Sequence, residues 1–313
     1  MTQEETMNKQ DIFVLSGDGK TNLHGIIWEP ECAQIKGVVQ LVHGMCEYID
    51  RYHDFAVYLT EQGYAVIGHD HLGHGKSMNT PADQGFFADE NGNQIVVEDI
   101  HRIMEFGRER WYGKPWFVLG HSMGSFMVRR YITHYSEELA GAIIMGTGMI
   151  PGAVAKLGRS LAVMIGKTKG LRHPSKLLSD MVLGGNNKPF KPARTECDWL
   201  TKDEEIVDRY MADPLCGFMF TAGAFKDFFT VMVDLAEKAD FDKIRKNLPI
   251  LITMGEVDPV GGAKAGVALR QQFEQLGMKD VSLDIYPRDR HEILNELDRK
   301  TVYGDILKWI EKR

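Results

Sequence analysis

Cysteine is scarce in this 313-residue chain: there are four, and no two form a C-x-x-C pair. That spacing suggests neither a zinc ribbon nor a disulfide framework, and it makes a reducing cytoplasm the expected compartment. No apolar run approaches the length needed to cross a bilayer, and residues 1–10 are polar and acidic, without the apolar centre of a secretion signal. The chain has no G-x-x-x-x-G-K-[ST] loop and no G-x-G-x-x-G behind a strand, so no nucleotide cofactor is implied and none of another kind is expected. Basic-aromatic patches are also missing from a chain of net charge −7, which removes the case for a nucleic-acid partner.

What is present is an alternation of short apolar runs with helix-period segments. Residues 12–15 and 23–28 read as a hairpin about Gly17-Asp18-Gly19. Residues 38–42, 64–67, 116–119, 140–145 and 249–254 read as buried strands, and residues 281–285 as a half-buried one in which Val281, Leu283 and Ile285 alternate with Ser282 and Asp284. Between them lie segments with apolar residues on one helical face: Tyr52, Phe55, Ala56 and Leu59; Val96, Ile100, Ile103 and Trp111; Leu269, Phe273 and Leu276; Val302, Ile306 and Ile310. This rhythm predicts an α/β architecture, a mostly parallel central sheet flanked by helices. It breaks after the sixth strand. Residues 1–149 and 238–313 form the two parts of the core, and residues 150–237 read as an inserted helical lid.

The chemistry centres on Gly120-His121-Ser122-Met123-Gly124, between the 116–119 strand and a helix from Met123 to about Tyr135. A serine between two glycines at a strand-to-helix junction is a nucleophile elbow: the turn is tight at Gly120 and Gly124, and it exposes Ser122 at the strand end. Ser125 sits one helical step too late. The 38–42 strand ends in His43-Gly44-Met45, which assigns the backbone N–H groups of Met45 and Met123 to an oxyanion hole. The 249–254 strand leads to Asp258, and the loop after 281–285 carries His291. The chain order Ser122, Asp258, His291 is that of the α/β-hydrolase fold. In this reading His291 relays the serine proton and Asp258 orients its ring, with Glu256 as the rival acid.

Taken with His43-Gly44-Met45-Cys46-Glu47-Tyr48, Arg51-Tyr52 and the segment from Gly68 to Ser77, these motifs resemble the monoacylglycerol lipase and lysophospholipase branch of the α/β-hydrolases over nearly the whole chain. The resemblance implies cleavage of single-chain lipid esters beneath a helical lid, with Ser122, Asp258 and His291 as the triad. Two positions depart from it: Tyr48 stands where many relatives have histidine, and Leu72 where arginine is usual, which leaves head-group preference open. A small-ester carboxylesterase, an amidase or a proline-releasing aminopeptidase shares the same chemistry, with Glu204, Glu205 and Asp208 as the acids that keep the peptidase in play. A non-catalytic ligand-binding protein is the remote alternative.

Three further features carry weaker signals. His69, Asp70, His71 and His74 mimic a metal cluster, but they belong to the hydrolase resemblance, and no metal is expected. Cys46 lies one residue past an oxyanion donor and reads first as a small buried residue. Residues 150–195 hold nine lysines and arginines against the single acid Asp180, interleaved with Leu157, Leu161, Val163 and Met164. That pattern is a solvated helix face or a basic amphipathic surface for transient contact with lipid.

Overall fold

Strands β1 (Met7–Leu15), β2 (Asn22–Pro30), β3 (Gly37–Val42), β4 (Tyr64–His69), β5 (Trp116–His121), β6 (Gly141–Met145), β7 (Ile250–Gly255) and β8 (Val281–Tyr286) form one sheet in a computed structural model. The structure describes residues 7–31 and 34–313; residues 1–6 of the polar N-terminal stretch, and Cys32, lie outside the described residues. The strand order is β1-β2-β4-β3-β5-β6-β7-β8. β1 and β2 pair antiparallel, as do β2 and β4, and every later pairing is parallel. Strands β3 to β7 are buried along their whole length, as expected of apolar runs covered on both faces.

Two apolar clusters, one on each face, hold the helices to the sheet. Helices α2 (Gly92–Arg110), α3 (Met123–Tyr135) and α8 (Gly262–Gln275) supply Ile100, Ile132 and Phe273 to one. Helices α1 (His53–Glu61) and α9 (Arg299–Ile310) supply Phe55, Leu59 and Ile306 to the other. Between β6 and β7 the chain leaves the sheet for four helices, α4 (Gly152–Lys169), α5 (Lys176–Val182), α6 (Glu204–Ala212) and α7 (Ala222–Ala236). No helix among the described residues is long and apolar enough to cross a membrane.

Two elements differ from their sequence pattern. β1 begins at Met7, well before the apolar run at Ile12, because an edge strand tolerates the exposed polar residues 8–11 while its backbone pairs with β2. β8 alternates in sequence, but its residues 281–285 are all half-buried. Val281 and Leu283 pack against the α8 side, while Asp284 lies close to Asp305 of α9, so neither face of this edge strand is open.

The elbow depends on close backbone approach. A Cβ on Gly124 would lie 2.1 Å from the Val42 carbonyl oxygen, and one on Gly120 would lie 2.4 Å from that of Gly124. Neither neighbour is a side chain that can swing aside. Gly124→Ala is therefore expected to cost about 3 kcal/mol or more, measured as a lower urea midpoint. Gly152→Ala is the control: its methyl would meet only Ala236 at 3.4 Å, and the midpoint should hardly move.

Candidate active site

Ser122 sits between β5 and α3 with φ 51° and ψ −120°, a backbone conformation that costs a non-glycine residue of order 1–3 kcal/mol. The surroundings hold it there: its N–H donates to the Met145 carbonyl at 3.0 Å, and Ser125 Oγ donates to its carbonyl at 2.5 Å. Ser125 is thus committed to supporting the turn. The β3 turn abuts the serine, since a Cβ on Gly44 would lie 3.1 Å from Ser122 Cβ. His43 Nδ1 donates to the Gly44 carbonyl at 2.7 Å, which fixes the planar Gly44–Met45 peptide and turns the Met45 N–H the opposite way. Neither the Met45 nor the Met123 amide donates to a protein acceptor among the described residues.

His291 and Asp258 meet although 33 positions separate them. His291 Nδ1 lies 2.9 and 3.0 Å from the two carboxylate oxygens, and the Val260 N–H donates to Asp258 Oδ1 at 2.9 Å. Both residues are buried. The imidazole lies over the end of β6, where a Cβ on Gly146 would sit 3.3 Å from its Cε1, one residue from the carbonyl that anchors Ser122. With Nδ1 held by the carboxylate, Nε2 is the nitrogen left to accept a proton. Glu256, the rival acid, is exposed and accepts the Arg288 N–H at 3.0 Å.

Beneath these loops lies a buried group of charges that the sequence did not reveal. Arg51 Nη1 donates to Glu47 at 2.6 Å and to Glu292 Oε1 at 2.9 Å, and Nη2 donates to Glu292 Oε2 at 2.8 Å. Glu47 Oε1 also accepts the Gly44 N–H at 2.7 Å and the Tyr52 hydroxyl at 2.9 Å, and lies 3.2 Å from His121 Nδ1. His121 Nε2 faces the His291 carbonyl at 3.3 Å. Burial alone would raise the Glu47 carboxyl, but Arg51 and His121 outweigh it and hold it well below the usual carboxylate range. Burial likewise works against the His121 cation, yet Glu47 wins and raises the ring above its ordinary value. The imidazolium suits both ring contacts, since each nitrogen faces an acceptor.

Of the histidines that resembled a metal cluster, His71 and His74 hydrogen-bond to the turn after β3, while neither ring nitrogen of buried His69 has a partner among the described residues. His43 Nε2 accepts the His71 N–H at 2.9 Å, His71 Nε2 faces the His43 carbonyl at 3.2 Å, and His74 Nε2 accepts the Cys46 N–H at 3.4 Å. Burial pushes His71 to about 4 and His74 to about 3, so each ring is neutral and able to accept as well as donate. Among the described residues no three His, Cys, Asp or Glu side chains are arranged to hold a metal ion. Cys46 has φ 56°, and its Sγ donates to the Phe218 carbonyl at 2.9 Å. Burial raises its thiol well above the ordinary value, which makes it a structural tie to the insertion.

The segment between β6 and β7 closes over these groups. The Trp199 ring lies 5.0 Å from that of His291, the His291 N–H donates to the Trp199 carbonyl at 3.4 Å, and the Glu292 N–H donates to that of Leu200 at 2.7 Å. Tyr210 and Gly217 both donate to the Cys46 carbonyl, and the Tyr48 hydroxyl donates to Asp213 at 2.7 Å. Glu292 and Trp199 carried no sequence signal; Glu47 and Arg51 stood inside a quoted motif without an assigned role.

A mainly parallel sheet covered on both faces, with a strained serine after β5 and an Asp–His pair on the loops after β7 and β8, is the α/β-hydrolase fold. The chain belongs to the family described as Hydrolase_4, serine aminopeptidase, S33, whose model matches residues 33–298. It is 27% identical over 300 residues to a monoacylglycerol lipase of Mycolicibacterium smegmatis, covering 94% of this chain and 95% of that one. It is 24% identical to the human monoglyceride lipase, covering 91% and 86%. Among solved structures, a thermostable carboxyl esterase from Bacillus coagulans in complex with glycerol superposes with a TM-score of 0.89 at 28% identity, over 98% of this chain and 99% of that one. A monoglyceride lipase from Saccharomyces cerevisiae shares the fold with a TM-score of 0.76 at 22% identity, over 100% and 97%.

Removing the central cation of the buried group strands two carboxylates. Arg51→Met is expected to lower stability by about 3–5 kcal/mol. The triple variant with Glu47→Gln and Glu292→Gln added should recover part of that loss in the same urea titration. A loss below about 1 kcal/mol for Arg51→Met would contradict the assigned network.

Proposed function

We propose that this protein is a serine carboxylic ester hydrolase whose substrates are single-chain lipid esters of the monoacylglycerol or lysophospholipid type. The observation that carries the reading is the Asp258–His291 pair at the sheet end where Ser122 is held in a strained elbow. Ser122 attacks the ester carbonyl while His291 Nε2 takes its proton. The oxyanion is received by the N–H groups of Met45 and Met123, and His291 returns the proton to the leaving alcohol. Water then repeats the sequence on the acyl-enzyme, and Asp258 stabilises the imidazolium in both halves. No cofactor enters this scheme.

The substrate class draws support from the lipases and the esterase among the relatives. The acids that kept an aminopeptidase in play turn elsewhere: Glu204, Glu205 and Asp208 are exposed, and Asp208 and Glu204 lie 2.6 and 3.7 Å from Arg194. A small-ester carboxylesterase or amidase remains the alternative within the same chemistry. The three described cysteines are free, in keeping with a reducing cytoplasm as the working compartment.

Residues 150–237 act as the lid, and we assign its outer face to transient contact with lipid surfaces. Helix α4 packs with its small residues, Ala155, Gly158, Ala162 and Gly166, and a Cβ on Gly158 would strike the Phe229 ring at 2.5 Å. Its larger apolar residues are left outside: Val154, Leu157 and Met164 are 48%, 59% and 54% exposed, beside exposed Lys156 and Lys167. Apolar groups pointing outward among lysines fit an anionic lipid surface.

A fluorophosphonate probe should label Ser122 and leave Ser122→Ala untouched. His291→Ala should cut kcat by roughly 10⁴–10⁶-fold at an unchanged melting temperature. Turnover across esters from acetate to palmitate should peak with long-chain monoacylglycerol or lysophospholipid. A peak at acetate favours the small-ester alternative, and a folded protein inert to the probe favours a ligand-binding protein. Sedimentation with vesicles containing phosphatidylglycerol should weaken steeply between 50 and 500 mM salt, where the screening length falls to a few ångströms; salt-independent binding removes the basic surface as its cause.

A further inference from the structure

A second buried arginine lies over the ring of Phe126, 5.4 Å from its centroid, but lacks the carboxylate partners given to Arg51. Arg129, on α3, is 3% exposed and forms no ion pair with a carboxylate among the described residues. Its Nη1 donates to the Gly148 carbonyl at 2.9 Å and to Thr147 Oγ1 at 3.3 Å. The opposite edge is unpaired: Nε has no acceptor, and Nη2 meets only the Met149 thioether at 3.6 Å, a weak acceptor. Desolvation, offset by no neighbouring acid, pushes the guanidinium down to about 10.

Arg129 lines a cavity of about 440 Å³ between α3, α8 and the lid, a volume within the range of small-ligand sites, and Met149, which Nη2 touches, lines it too. Its lining is mixed: Met149, Met232 and Leu235 form an apolar side, and Gln271, Gln272 and Gln275 a polar one. No aspartate or glutamate lines it, and Lys238 adds a second cation at the rim. Gln272 also lines it and has a buried, unpartnered Oε1; rotation of the amide presents a donor in the same place. None of the proposed triad lines this cavity.

We propose that this cavity is a binding site for an amphipathic carboxylate, a single-chain fatty acid, held by the Nε–Nη2 edge of Arg129 with its chain along the methionine and leucine wall. The side-on guanidinium edge matches a carboxylate bidentately. Met149, 37% exposed and flexible, is the side chain that must swing aside for the head group to reach that edge. The Met149, Met232 and Leu235 side favours a chain-bearing anion over a bare one. The Arg129 contacts do not involve Ser122, so the site stands apart from the catalytic reading.

The test is titration calorimetry with sodium laurate below its micellar concentration, on protein whose Ser122 has first been capped with a long-chain fluorophosphonate. The capped wild type should bind laurate at least tenfold more tightly than capped Arg129→Met, whereas dodecanol should not distinguish the two. Leu235→Trp, which fills the cavity and keeps the arginine, should also lose laurate binding, and it decides the matter alone if Arg129→Met fails to fold. Equal laurate affinity in wild type and Arg129→Met, or equal competition by acetate, would overturn the proposal. Failure of the cap to form bears on the triad; in that case the same titrations on uncapped protein still test Arg129.

Discussion

One guanidinium ties the site together. Arg51, at the start of the first helical segment, bridges Glu47 of the oxyanion turn and Glu292 beside His291, and Glu47 in turn reaches Gly44, Tyr52 and His121. The turns after β3 and β5 and the loop after β8 thus share one set of hydrogen bonds. A buried ion group is a weak source of net stability, because desolvation consumes most of the attraction, and an apolar replacement of the same shape is often as stable. Its value here is geometric. Carboxylate forks and ring nitrogens have fixed directions, and they set the oxyanion turn, the elbow and the base loop relative to one another far more narrowly than apolar packing would.

The histidines beneath the oxyanion turn do similar work with neutral groups. A neutral imidazole is a donor at one nitrogen and an acceptor at the other. His43 can therefore hold the Gly44 carbonyl and receive the His71 N–H at once. Protonation would remove the acceptor, and burial keeps that from happening at neutral pH. His71 and His74, which in sequence suggest metal ligation, are engaged with backbone groups of this turn.

The sheet was legible because its central strands are covered on both faces and read as unbroken apolar runs, each followed by a segment of helical period. Ser122, Asp258 and His291 could be proposed because each stands at a fixed offset from such a strand. Asp258 prevailed over Glu256 as the partner of His291 through where the turn after β7 points, which spacing alone could only favour. The Arg51 group was not legible, since Glu292 lies 241 positions from its partner and a charged residue in sequence reads as surface by default. Trp199 was hidden for a related reason: the insertion has no strand rhythm against which to place it. β1 was under-read because an edge strand can be built from polar residues.

The contact between residues 199–200 and 291–292 has a mechanical corollary. Two main-chain bonds and a tilted indole contact splice this stretch of the insertion to the loop that carries the imidazole. Lifting that splice would pull the His291 ring away from the Asp258 carboxylate. Within the insertion two stretches are held differently: residues 199–200 are tied to the loop of His291, while α4 packs on α7.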